Sequence, residues 1–293
     1  MTHPSRTDLA VESLELSRGG ARQAGELPGV SSRTRTIEGF SAASVEILDE
    51  QGEQLLGKPV GVYETLFLDA LIRREADAFP RACRALARLL GGLLPQDARA
   101  STLVAGLGNR DITPDAVGPR AAGYVIATRH LTAQAPEHFA GWRPVSVLAP
   151  GVLGQTGLES GELLSAAVQA VHPAAVVAVD ALAAGSVRRL CRTVQLTNAG
   201  IVPGSGVQNA RAALNRDTLG VPVVAVGVPT VVDGRTLARE LSGEPAAPDT
   251  APLIVTTRDI DREVADLSRL IGYALNLAFQ PDLSPEDVDL YLS

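Results

Sequence analysis

Ala174-Ala-Val-Val-Ala-Val179-Asp180 is a run of small and β-branched apolar residues that ends on a carboxylate. Continuous apolar character without alternation is the pattern of a strand buried on both faces, as in a parallel sheet. Thr102-Leu-Val-Ala-Gly-Leu107 reads the same way and ends at a glycine. Between and beyond these two strands the period changes repeatedly. A helix is expected over about 119–131, a strand over 145–148, and a helix over 160–171 that Pro173 stops. A short helix follows at 187–191, a strand from Val194, and another strand over 221–228 with Pro222 near its start. Residues 259–279 carry the apolar stripe Val264, Leu267, Leu270, Ile271, Ala274 and Leu275 of a long amphipathic helix. A last helix starts at Ser284, with Pro285 first and Glu286 and Asp287 in the favoured first turn. This alternation predicts an α/β fold: a mostly parallel sheet flanked by helices on both faces, in a single large domain.

The N-terminal third gives a weaker pattern. Residues 1–40 are polar and rich in Arg, Gly and Ser, and read as a partly ordered arm. Residues 41–56 alternate as a strand. Residues 64–94 fit a helical period that Pro80 splits in two. The stretch 243–248 reads as a surface loop.

The chain has 293 residues, 45% of them hydrophobic, enough for a large core. Its net charge is −7, and Lys58 is the only lysine, which reads as coding bias. No basic run with interleaved aromatics is present, so neither nucleic acid nor an anionic membrane is an expected partner. Cys83 and Cys191 stand apart from any CxxC or Cys/His cluster and read as small buried residues. The N-terminus MTHPSRTDLAVES lacks an apolar signal region, and no uncharged apolar stretch reaches transmembrane length. A cytoplasmic protein is expected.

In an open parallel sheet, ligands bind outside the carboxyl ends of the strands. After the first core strand comes Gly106-Leu-Gly-Asn109-Arg-Asp-Ile-Thr-Pro-Asp115-Ala-Val-Gly118, and after the next long apolar one comes Asp180. If their strands are neighbours, Asp115 and Asp180 meet at one rim. Close carboxylates cannot both ionise, so one keeps a proton and serves as acid while the other activates water. The same pair plus one ligand could hold a divalent metal. An N-cap would explain Asp115 alone; a charge ending a buried strand asks for a stronger reason. Gly106-x-Gly-Asn lacks the third glycine of a dinucleotide fingerprint, and no Gly-Lys-Ser/Thr exists. Ser205, in a glycine-rich loop at 200–209, reads as a turn residue with a backbone anion-binding role. Glu159 and Glu162, three apart, read as helix-start charges, with lining of the site as the alternative for both. The four histidines form no metal motif.

Several motifs in order then carry a resemblance. Arg6-Thr-Asp-Leu-Ala-Val-Glu12, Gly106-Leu-Gly-Asn109, Thr113-Pro-Asp115-Ala-Val-Gly-Pro119, Thr156-Gly-Leu-Glu-Ser-Gly-Glu162, Asp180-Ala-Leu-Ala-Ala184, Pro203-Gly-Ser-Gly206 and Gly227-Val-Pro-Thr-Val-Val-Asp233 together resemble the germination proteases of endospore-forming bacteria. The match picks up again at Leu253-Ile-Val-Thr-Thr and the long final helix. The resemblance implies an atypical aspartic-type endopeptidase of the spore core. It would be made as a zymogen, assemble as a homotetramer and degrade small acid-soluble spore proteins at germination. The essential aspartates match Asp115 and Asp180, with Asn109, Glu159, Ser205 and Asp233 as supporting or substrate-binding residues and no cofactor. The family's fold is similar to that of nickel-dependent hydrogenase maturation proteases, so a metal-dependent peptidase is one alternative. A non-catalytic spore-protein binder is another. The family cleaves after an acidic residue and before an apolar one and Ala. Asp8-Leu9-Ala10 fits, so self-processing is expected between Asp8 and Leu9, with 1–8 as pro-segment and 9–293 as the peptidase domain. The arm around Arg6 is expected in the groove near the acidic pair. The stretch before Asp8 is short, with Ser5 where the family has an acid, and the region after Asp233 is also short.

Overall fold

The computed structural model describes residues 7–20, 27–97, 99–205, 211–243 and 253–293. The chain opens with α1 (Ala10–Gly20), β1 (Val30–Ile37), β2 (Phe40–Ile47), α2 (Glu50–Leu56), β3 (Gly61–Phe67), α3 (Asp69–Ile72) and α4 (Ala78–Gly91). Then come β4 (Thr102–Gly106), α5 (Val117–Ala122), α6 (Arg129–Gln134), α7 (Pro136–Phe139), β5 (Val145–Leu148), α8 (Leu153–Thr156), α9 (Ser160–Val171), β6 (Ala175–Ala184) and β7 (Thr193–Thr197). The last part is α10 (Arg216–Leu219), β8 (Val223–Asp233), α11 (Gly234–Ser242), β9 (Ile254–Val255), α12 (Ile260–Phe279) and α13 (Pro285–Leu292). Single 3-10 turns occupy Thr113–Asp115 and Val187–Arg189.

Among the described residues one nine-stranded sheet runs in the order β1-β2-β3-β7-β8-β6-β4-β5, with β9 pairing with β8. The expected α/β fold with helices on both faces is present. Its parallel ladder is the group β5-β4-β6-β8, and antiparallel pairs add β7, β3, β2 and β1 on one side. Side chains alternate across the central strands. Val177 and Val179 join the core built with α4, α5 and α12. Val176 and Ala178 face the opposite way, onto Leu164 and Val168 of α9. Each large apolar side chain buried this way, such as Leu270 or Ile271 of α12, contributes roughly 1.5–3 kcal/mol relative to exposure.

The structure corrects the reading of the N-terminal third. Residues 10–20 are helical and residues 30–37 form an edge strand, not an arm. β1 escapes a periodicity reading because Ser-Ser-Arg-Thr-Arg-Thr is polar and mostly exposed, as edge strands tend to be. Its hairpin signal is Glu38-Gly39, both at positive φ (51° and 82°), the two-residue turn whose twist suits a hairpin. Residues 61–67 are strand β3, not helix, because they pair with β2 and β7. Pro80 does not split α4. It sits in the first turn, where its missing N–H has no helical partner to lose. The helix expected over 119–131 is two helices, α5 and α6. The chain around Arg6, residues 206–209 and most of 243–248 lie outside the described residues. No helix among the described residues is long and apolar enough to cross a membrane.

Candidate active site

β4 and β6 are parallel neighbours, with Gly106 opposite Val179, so the residues leaving their carboxyl ends come together. Asp180 is not past its strand, as expected, but inside it, because β6 runs on to Ala184 beside β8. β4 stops at Gly106, so beyond Val179 the edge of β6 facing β4 loses its strand partner. The Ala181 N–H on that stretch donates to Asp180 Oδ1 at 2.9 Å.

Asp115 is placed by the loop from β4 to α5. Asp115 N–H donates to the Ile112 carbonyl at 2.8 Å, and Asp115 Oδ2 accepts the Asn109 N–H at 2.7 Å. Gly108 holds φ +106°, and a Cβ there would meet the Asp115 carbonyl at 2.1 Å. Only glycine allows that closure. Thr230 Oγ1 of β8 donates to the Pro114 carbonyl at 2.7 Å, and Thr113 Oγ1 donates to Asp261 Oδ1 of α12 at 2.7 Å. The loop is thus pinned to both the sheet and a helix. The side chain of Asp115 does not cap α5.

Asp115 and Asp180 line one cleft of about 450 Å³ together with Asp8, Glu159, Ser205 and Arg211. Asp180 is 4% exposed. Burial, then the charges of Asp115 and Asp8, push its carboxyl up to about 8, against the pull of the Ala181 N–H. Burial also raises Asp115, and the Asn109 N–H offsets part of that. At neutral pH the arrangement favours one proton on Asp180 and a charge on Asp115. That is the division of labour a general acid and a general base require.

The N-terminal segment enters the same cleft. Asp8 N–H donates to the Ala183 carbonyl at 3.0 Å, and Ala183 N–H donates to Asp8 Oδ2 at 2.8 Å. Ser205 Oγ donates to Asp8 Oδ1 at 3.0 Å. Gln195 of β7 donates from Nε2 to the Asp8 carbonyl at 3.0 Å and accepts the Ala10 N–H on Oε1 at 2.7 Å. Lys58 Nζ donates to the Thr7 carbonyl at 2.7 Å. Burial lowers the Lys58 ammonium, with Asp8 and Glu12 opposing. Leu9 is fully buried against Val11 and Leu182. Asp8 also borders a second hollow of about 410 Å³ lined by Lys58, Tyr63, Gln195 and Asn215.

The structure brings Asp115, Asp180, Asp8, Ser205 and Glu159 together. Glu159 Oε1 pairs with Arg211 at 3.0 Å on the cleft wall, and its N–H donates to Glu162 at 2.9 Å at the start of α9. Asn109 acts through its backbone, while its side chain accepts from Gln155 Nε2 at 2.9 Å. Asp233 is not in the cleft. It caps α11, accepting the Arg235 N–H at 2.8 Å. Sequence reading missed Gln195, Lys58, Arg211 and the Ala183 backbone. The available signal was Gln195 itself, a polar amide in the strand that starts near Val194, whose burial (5% exposed) needs partners. No group of three His, Cys, Asp or Glu side chains among the described residues is placed to hold a metal ion.

Comparison with known proteins agrees over nearly the whole chain. Residues 8–241 match the sequence profile of the peptidase family described as germination protease. The germination protease of Caldanaerobacter subterraneus is 39% identical over 98% of this chain and 98% of its own. That of Clostridium perfringens is 35% identical over 98% and 99%, and that of Bacillus velezensis 38% identical over 97% and 76%. Among solved structures, a [NiFe] hydrogenase maturation protease from Thermococcus kodakarensis aligns with 64% of this chain and 98% of its own, at 18% identity and a TM-score of 0.37. From the profile match and these full-length likenesses, the chain belongs to the germination protease family, a family of peptide-bond hydrolases.

Proposed function

We propose that the chain is an endopeptidase that hydrolyses peptide bonds with the Asp115/Asp180 pair. It cuts small acid-soluble spore proteins after acidic residues at germination, and is made as a zymogen that cuts itself between Asp8 and Leu9. The observation that carries this reading is the chain's own Asp8, held in the cleft that both aspartates line. Asp115, ionised, takes a proton from water as the water oxygen adds to the scissile carbonyl carbon. Asp180 gives its proton to the leaving nitrogen as the C–N bond breaks. One water is consumed, and a new carboxyl group and a new amine result. The homotetramer and the spore-core location belong to the same proposal and rest on the family resemblance.

Asp115→Asn and Asp180→Asn are each expected to abolish cleavage. Intact mass should show the unmodified chain beginning at Leu9 and both variants at full length, with the fold retained by circular dichroism. Full activity in either variant rejects the pair. Tight binding of a spore protein by an unmodified chain that never cuts itself or its partner favours a binding protein instead.

A further inference from the structure

The primary amide of Gln195 brackets Leu9, touching the peptide bond before it and the one after it. Its Nε2 donates to the carbonyl of Asp8, and its Oε1 accepts the N–H of Ala10, the residue after Leu9. The register explains why this side chain stands on the same face as Asp180 and reaches Asp8, which borders both hollows. Gln195 of β7 lies opposite Gly227 of β8, and Gly227 lies opposite Asp180 of β6. Residues opposite one another across a sheet share a face, so Gln195 and Asp180 stand on one face with a residue lacking a side chain between them. A Cβ on Gly227 would meet the Leu182 side chain at 2.5 Å, so the glycine also lets Leu182 settle beneath Leu9. A carboxamide is the one side-chain head of this length that offers a donor and an acceptor together.

The acidic side chain just before the bond is held as well. Its two oxygens are divided between the Ala183 N–H and the Ser205 hydroxyl. The Ala183 amide is free to do so because β4 has ended, leaving a bare sheet edge that an extended segment can join.

We infer that Gln195 is a catalytic residue for cleavage of the Asp8–Leu9 bond, holding the scissile carbonyl oxygen, and that Ser205 with the Ala183 amide forms the subsite that selects an acidic residue there. The inference rests on the proteolytic reading and names the groups that orient its bond. As water adds to the carbonyl carbon, the oxygen held by Gln195 gains negative charge, and the same N–H binds it more tightly than it binds the ground-state carbonyl. When the C–N bond breaks, that oxygen becomes part of the new carboxylate of Asp8, and Ala10 keeps its bond to Oε1.

The test uses the full-length chain and follows by intact mass the first-order appearance of the species beginning at Leu9. Gln195→Glu keeps the size and the acceptor for Ala10 but removes the donor. It should slow cleavage by about 100-fold or more, the usual loss for one such donor, and Gln195→Ala at least as much. Ser205 is exposed, so Ser205→Ala leaves the fold intact. It should slow cleavage roughly 10-fold when residue 8 is Asp and have little effect in an Asp8→Asn background, a coupling that a purely structural role does not produce. If the unmodified chain is cut and Gln195→Glu, folded by circular dichroism, is cut equally fast, the role of Gln195 is overturned alone. Equal effects of Ser205→Ala with and without the Asp8→Asn change overturn the subsite. An unmodified chain that stays at full length overturns the proteolytic reading and this inference together.

Discussion

Asp180 has one backbone donor, the Ala181 N–H, and almost no water. A buried carboxylate with so little compensation keeps its proton. The folded group titrates near about 8 and the unfolded one near 3.8, so between those values the folded state holds a proton the unfolded state has released. Stability therefore falls as pH rises from about 4 to about 8 and is flat beyond. Asp180→Asn removes the penalty and should raise unfolding stability at pH 7 by up to about 4 kcal/mol. Denaturant melts checking this would reject the burial argument if the variant were equally or less stable. Activity should follow a bell in pH, rising as Asp115 ionises and falling as the pair loses its second proton near about 8. A rate still climbing at pH 9 would rule out Asp180 as the acid. Both aspartates were legible in the sequence, Asp180 because a charge closes an apolar run. Gln195 was not, because a lone polar residue in a short strand looks like an outward-facing one until its neighbours are known.

At the scale of elements, the site depends on how closely α5 approaches the ends of β4 and β6. A Cβ on Gly118 would lie 2.2 Å from the Leu107 carbonyl oxygen and 2.3 Å from that of Val179. The Val179 oxygen accepts the Leu107 N–H at 2.8 Å, so it cannot move without breaking that link between the two strands. Gly118→Ala is expected to cost about 3 kcal/mol and to displace Asp115. A thermal melt within a degree of the unmodified chain would contradict this. The central strands, α9, α12 and α13 were all legible because their apolar periods are strong and their caps are local, as at Ser284, whose side chain accepts the Asp287 N–H. The extension of β6 past Asp180 was not. It exists because β8 continues alongside through Val232, a pairing that no local pattern reveals. β3 was misread because Leu66 and Leu68 fit a helical stripe, and only pairing on both edges makes that segment a strand.

At the scale of the whole molecule, the sheet order matters more than any one element. β6 sits between β4 and β8, so residues far apart in sequence converge on one cleft. Asp8 reaches Ala183 across 175 positions, and Gln195 reaches Asp8 across 187. Leu9, Ala10, Val11 and Leu14 are all buried, so the chain after Asp8 is anchored as part of the core while Asp8 itself is held by polar contacts at the cleft. By itself the sequence determined the α/β class, singled out the two carboxylates that follow the apolar runs of β4 and β6, and marked the acidic-apolar-Ala step at Asp8-Leu9-Ala10. These are local: hydrophobic period, helix caps and residue type lie within a few positions of one another. Only the tertiary structure decided that β4 and β6 are adjacent, that Asp180 is buried deeply enough to keep a proton, and that Gln195 and Ser205 close on Asp8. Each of these depends on strand order, register and the exclusion of water, which arise when distant segments pack.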